Sequence, residues 1–168
     1  MGLRKDFRAF NATLRNLTYR LRAFRDNLPL VLEQVIRDKE SVIVSAVADD
    51  QLYRRGVNGK DIKIMSYAPY RPRTIAIKKR KGQPTTRVTL RDKGDFHKSM
   101  YVRFDPDGFY IRARDSKTDI LVGKYGIEIF RLTDKNLTRL VRVHIRRELK
   151  KRLRKILKNE RGNRTSPL

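Results

Sequence analysis

Few residues in this chain have the types and spacing that chemistry needs. Pro106-Asp107 followed by Asp115-Ser116-Lys117 imitates the split acidic-lysine pattern of metal-dependent nucleases. There, carboxylates hold a divalent ion and a lysine lies near the attacking water. The spacing argues against that chemistry. Asp107 falls at the tip of an expected turn and Asp115 at the far end of the strand that follows, so eight residues at about 3.3 Å each place them roughly 26 Å apart. His97 and His144 are the only histidines. Ser99 is close to His97 in sequence, but no third residue is in view to orient a nucleophile-base pair. His144 falls beside an apolar helical stripe, the place of a packed or surface histidine. No glycine-rich phosphate loop is present. The chain reads as a non-enzyme without a metal site.

Positive charge is what the sequence supplies in quantity. Its 168 residues hold 42 Lys and Arg against 18 Asp and Glu, a net charge of +24. Such an excess raises self-repulsion in the compact state. It points to a polyanionic neighbour: nucleic acid, an anionic membrane or an acidic protein. Nucleic acid is favoured because its phosphates attract cations whatever the base sequence. The basic helices also carry core-type apolar stripes, which disfavours a membrane surface. Two clusters are the expected contacts with nucleic acid or an acidic partner. One is the dense run Lys78, Lys79, Arg80 and Lys81; the other is Arg146, Arg147, Lys150, Lys151, Arg154 and Lys155 near the C-terminus. The alternative for each is a solvated basic surface.

Charged residues make up 36% of the chain and hydrophobic ones 39%, so the core must be economical. The length suits one domain, or one domain with arms. The absence of cysteine rules out disulfides and Cys-ligated zinc and fits a reducing compartment. Residues 1–10 hold no apolar run of signal-peptide length, and no window approaches the roughly 20 apolar residues of a membrane helix.

The elements that would position these groups are organised around residues 87–114. Met100, Val102 and Phe104 alternate with Tyr101 and Arg103; Phe109 and Ile111 alternate with Tyr110 and Arg112. That period of two predicts two half-buried strands, and Asp105-Pro106-Asp107-Gly108 between them predicts a tight hairpin turn. Upstream, Gly94 stands among polar residues where a left-handed backbone is expected.

Phe7, Phe10, Leu14, Leu17, Leu21 and Phe24 recur at spacings of three and four. They predict a helix over about 4–26 whose stripe packs into a core or, as an arm, onto a neighbouring subunit. Its opposite face holds Arg8, Arg15, Arg20, Arg22 and Arg25. A break at 27–29, with Asn27 or Leu28 as cap, precedes a second helix to about Tyr53. The span 62–67, with Ile62, Ile64 and Tyr67, suits a short strand. Thr74 could cap a helix over 75–81 that Gly82 stops. Residues 83–87 suggest a flexible loop, and Ile120, Leu121 and Val122 a short buried run. Thr133 caps a long terminal helix with Asp134 in its first turn. The stripe of that helix is Leu137, Leu140, Val141, His144 or Ile145, Leu149, Leu153 and Ile156. The class is α+β: a small antiparallel sheet with a central hairpin, flanked by N-terminal helices and a long basic C-terminal helix. The expected organisation is a helical arm at 1–27, a domain at 28–158 and a flexible basic tail at 159–168.

Three stretches together resemble the phage virion-morphogenesis and tail-completion (head-tail joining, neck) proteins. They are YAPYRPRTIAIKKRKG at 67–82, TLRDKGDFHKSMYV at 89–102 and VGKYGIEIF at 122–130. The resemblance covers roughly 30–158; the N-terminal helix and the length and basicity of the last helix depart from the pattern. It implies a structural subunit of a tailed-phage virion, in a neck, connector or tail ring around the DNA channel. It further implies a homo-oligomeric ring, portal, tail or neck proteins as partners, and no cofactor. Packaged double-stranded DNA would be touched without sequence specificity. The location would be the virion, and the bacterial host cytoplasm during assembly. A ring of copies would also cover the edges of a small sheet. The competing expectation is a free, sequence-independent DNA-binding protein of packaging or nucleoid type.

Overall fold

The computed structural model describes residues 2–158, with side chains from residue 11 onward. The expected tail at 159–168 and the side chains of Phe7 and Phe10 lie outside the described residues. The fold is α+β: helices carry most of the chain, and one antiparallel sheet has two strands. Two compact units form, one from residues up to Ile36 together with those from Arg142 on, the other Arg37–Val141.

In the first unit, α1 spans Gly2–Asp26 and α2 begins at Leu28. Hydrogen bonding nearly bridges their junction. The Asn27 N–H donates to the Ala23 carbonyl at 3.1 Å and the Val31 N–H to the Asn27 carbonyl at 3.0 Å. Pro29 lies in the first turn of α2, where its missing N–H costs nothing. The unit also holds the last helix, Arg146–Lys158, which contacts α1.

The second unit is built on the continuation of α2. That helix ends at Asp38, α3 follows over Glu40–Ser45, and the chain then widens into a π-helical segment, Ala46–Arg55. The expected single helix to Tyr53 is thus interrupted at Lys39 and changes pitch. The wider turn brings Val47, Ala48, Gln51 and Leu52 to one buried side. Gly56 closes the segment with φ +63, and a Cβ there would meet the Cβ of Arg87 at 2.8 Å, so both backbone and space demand glycine.

Three expected local structures differ. Residues 62–67 form no strand. A single bridge joins Val57 to Lys63, and Ile64–Tyr67 make one helical turn, α4. The turn buries Ile64 fully and lets the Tyr67 hydroxyl donate to the Tyr125 carbonyl at 2.9 Å. The helix near 75–81 begins earlier, as α5 at Pro72–Arg80, with extended Arg71 as its cap and proline in the first turn. Thr74 is therefore inside the first turn and caps nothing. Residues 120–122 belong to helix α7, Thr118–Tyr125. Consecutive apolar residues on a helix cannot all face inward, and Ile120 is 71% exposed.

The short helix α6, Asp95–Lys98, follows Gly94 in the left-handed conformation (φ +97). It leads into β1, Met100–Asp105, which pairs with β2, Gly108–Ala113, through the two-residue turn Pro106-Asp107. Met100, Val102 and Ile111 are buried on the core side. One outward N–H of β1 is satisfied from outside the sheet: the Val102 N–H donates to Glu40 Oε1 of α3 at 2.8 Å. A 3-10 turn, Ile127–Phe130, supplies Ile129 and Phe130 to the core, the latter with its ring 5.8 Å from Phe96.

Thr133 caps α8, Asp134–Arg139, accepting from the Asn136 N–H at 3.3 Å. Fully buried Gln51 ties this start to the π-helical segment. Its Nε2 donates to the Arg131 carbonyl at 2.9 Å, and its Oε1 accepts from the Thr133 N–H at 2.9 Å and from Asn136 Nδ2 at 3.1 Å. A second π-helical stretch, Leu140–Ile145, links α8 to the last helix, α9.

Candidate nucleic-acid and subunit interfaces

The basic run at 78–81 does not form one surface. Lys78 is 7% exposed. Its ammonium donates to Gln83 Oε1 at 3.0 Å, to the Arg91 carbonyl at 2.8 Å and to Thr89 Oγ1 at 3.4 Å. The Tyr70 ring lies 5.1 Å away. With these partners Lys78 is a structural post, and the expectation that it meets a polyanion is corrected. Lys81 donates to Asp92 and holds that carboxyl below its ordinary pKa. Gln83 also donates to the Asp92 carbonyl at 2.8 Å, and Arg87 to the Tyr53 carbonyl at 2.8 Å; both ends of the expected flexible loop at 83–87 are tied down. Lys79 and Arg80 remain exposed, and no carboxylate among the described residues pairs with them.

The terminal cluster is different. Arg146, Arg147, Lys150, Lys151, Arg154 and Lys155 are all exposed on α9. Glu148 reaches Lys151 at 3.5 Å and Arg152 at 3.9 Å, leaving five of the six without a carboxylate partner among the described residues. They run along about 14 Å of helix at 1.5 Å per residue.

The apolar stripes of the same unit are poorly covered. On α1, Leu14 is 44% exposed and Leu17, Leu21 and Phe24 are half-buried. On α9, Leu153 is 36% and Leu157 45% exposed, and no side chain is buried. Among the described residues of this unit, Val35 alone is buried. Since full burial of one leucine contributes about 1.5–3 kcal/mol, these stripes hold unused packing energy.

Catalytic candidates find other roles. Asp115 Oδ1 accepts the Lys117 N–H at 2.8 Å, and the Asp115 carbonyl accepts the Thr118 N–H at 3.0 Å, so this stretch launches α7. Among the described residues no three His, Asp or Glu side chains converge as a metal site would require. The Ser99 hydroxyl donates to the Phe96 carbonyl at 2.9 Å rather than to His97. His97 is buried, and neither ring nitrogen has a hydrogen-bond partner among the described residues. Burial pushes its pKa below the ordinary imidazole value.

Sequence reasoning passed over Arg103, Arg112 and Arg114. Each is exposed, and none has a carboxylate partner among the described residues. The signal was the outward half of the strand alternation, Tyr-Arg on both strands, but its meaning depends on register. No helix among the described residues is long and apolar enough to cross a membrane. No protein-family model, curated protein or solved structure matches this chain.

Proposed function

We propose that the chain is a structural subunit of a tailed-phage virion, part of a neck, connector or tail ring joining head and tail around the DNA channel. The observation that carries this reading is the thin core of the helical unit. Val35 alone is buried among its described residues, while Leu14, Leu30, Leu153 and Leu157 keep between 36% and 66% of their surface exposed. Helices of this kind gain stability by burying such stripes against neighbours, and a closed ring supplies a neighbour on each side. The cations of α9, with Lys79 and Arg80, then face packaged DNA or acidic virion partners such as a portal, without base readout. Assembly takes place in the host cytoplasm and ends in the virion.

Native mass of the purified chain at low and high salt, with and without duplex DNA, tests this. A discrete oligomer is expected. A salt-independent monomer that is absent from purified particles overturns the reading. The second reading, a free sequence-independent DNA-binding protein, is favoured by the five unpaired cations on α9. It predicts a monomer that coats DNA and leaves it steeply as salt rises.

A further inference from the structure

The solvent side of the hairpin carries an ordered cationic surface. Register places Tyr101 opposite Arg112 and Arg103 opposite Tyr110, so arginine faces tyrosine across the ladder twice. The Arg112 guanidinium lies 5.1 Å and that of Arg103 6.0 Å from the Tyr110 ring centre; Arg114 lies 4.5 Å from the Tyr101 ring centre. The arginines are exposed and the tyrosines half-buried.

We infer that this face binds the phosphate backbone of nucleic acid. Three guanidiniums without a counter-carboxylate among the described residues, in a chain of net charge +24, complement a polyanion. Arg112 lies on β2 and Arg114 one residue past its end, so their backbones are at most about 7 Å apart, and their guanidiniums rest on different rings, Tyr110 and Tyr101. A guanidinium held against an aromatic ring presents a pre-set fork of donors, which suits a phosphate and loses little freedom on binding. With one arginine against the Tyr101 ring and two against the Tyr110 ring, the surface holds phosphates rather than stacking bases. This site deepens the DNA-facing side of the proposed function but does not need the ring, because the five residues lie on one hairpin.

The test is binding of the full chain to fluorescent duplex and single-stranded oligonucleotides across a salt series. The variant is Arg103→Gln/Arg112→Gln/Arg114→Gln. The expected result is at least tenfold weaker binding to one or both oligonucleotides, with a log K against log salt slope shallower by about 2–3. Arg114→Gln alone, beyond the end of β2, leaves the hairpin intact and should lower the slope by about 0.9 on duplex. Unchanged affinity and slope in a folded variant overturn the proposal. So does loss of binding to poly-L-glutamate with DNA binding retained, which would assign the face to an acidic polypeptide. Native mass of the same variants reports assembly separately, so a lost DNA contact and a failed ring are told apart.

Discussion

The Lys78 ammonium donates to the Arg91 carbonyl oxygen at 2.8 Å, and this bond turns the first residue of a basic run into part of the core. Hydrogen bonds to a charged donor contribute about 1.5–3 kcal/mol. Lys78→Ala is therefore expected to lower unfolding stability by about 2 kcal/mol in chemical denaturation, with the salt slope of DNA binding unchanged. Lys79→Gln/Arg80→Gln should do the reverse, leaving stability alone and flattening the slope. A stability-neutral Lys78→Ala would contradict the buried geometry.

His97 gives the fold a pH dependence of definite sign. Its folded pKa is depressed, so the unfolded chain binds the extra proton first. Its contribution is fully present above about pH 6.5, the unfolded value. It is lost as pH falls below that point toward the folded pKa, with a limiting slope of about 1.4 kcal/mol per pH unit for one proton. Denaturation midpoints between pH 5 and 8 measure this, and His97→Leu should flatten the curve in that window. A variant that keeps the full pH dependence would place the titrating group elsewhere.

Thr133 is both a helix cap and a member of the Gln51 network. Thr133→Ala should cost about 1–2 kcal/mol, while Thr133→Ser keeps the oxygen and loses little. Equal stability of the alanine and serine variants would show that the cap bond contributes nothing.

The exposed leucines separate packing within a chain from packing between chains. Leu14→Glu and Leu153→Glu should shift the native mass toward smaller species and barely change the unfolding of the Arg37–Val141 unit. An oligomer of unchanged mass in both variants would remove these stripes from the subunit interface.

Several elements were legible in the sequence because their causes are local. The hairpin follows from strict alternation around Asp105-Pro106-Asp107-Gly108, and the start of α8 from Thr133 and Asp134. The depth of Lys78 was not legible, since its oxygens come from Gln83, Thr89 and Arg91, and a charge run names no acceptor. The pitch change at 46–55 was hidden for a similar reason: Gln51 bonds to Arg131 and Thr133, about 80 residues away. At 120–122, apolar composition suggested burial where the helix turns Ile120 outward. The alternation alone marks Tyr101, Arg103, Tyr110 and Arg112 only as the outward half of a pattern. The ladder that pairs them, and the place of Arg114 beside Tyr101, require the register.

Glu40 accepts the Val102 N–H of β1 from 62 residues upstream, and the direction of that separation matters during synthesis. Chains emerge N-terminus first, so the carboxylate is already made when Val102 leaves the ribosome. The hairpin itself closes within microseconds. The interval in which a newborn strand presents an unclaimed N–H to other nascent chains is therefore set by the docking of α3, an element synthesised earlier, rather than by waiting for later residues.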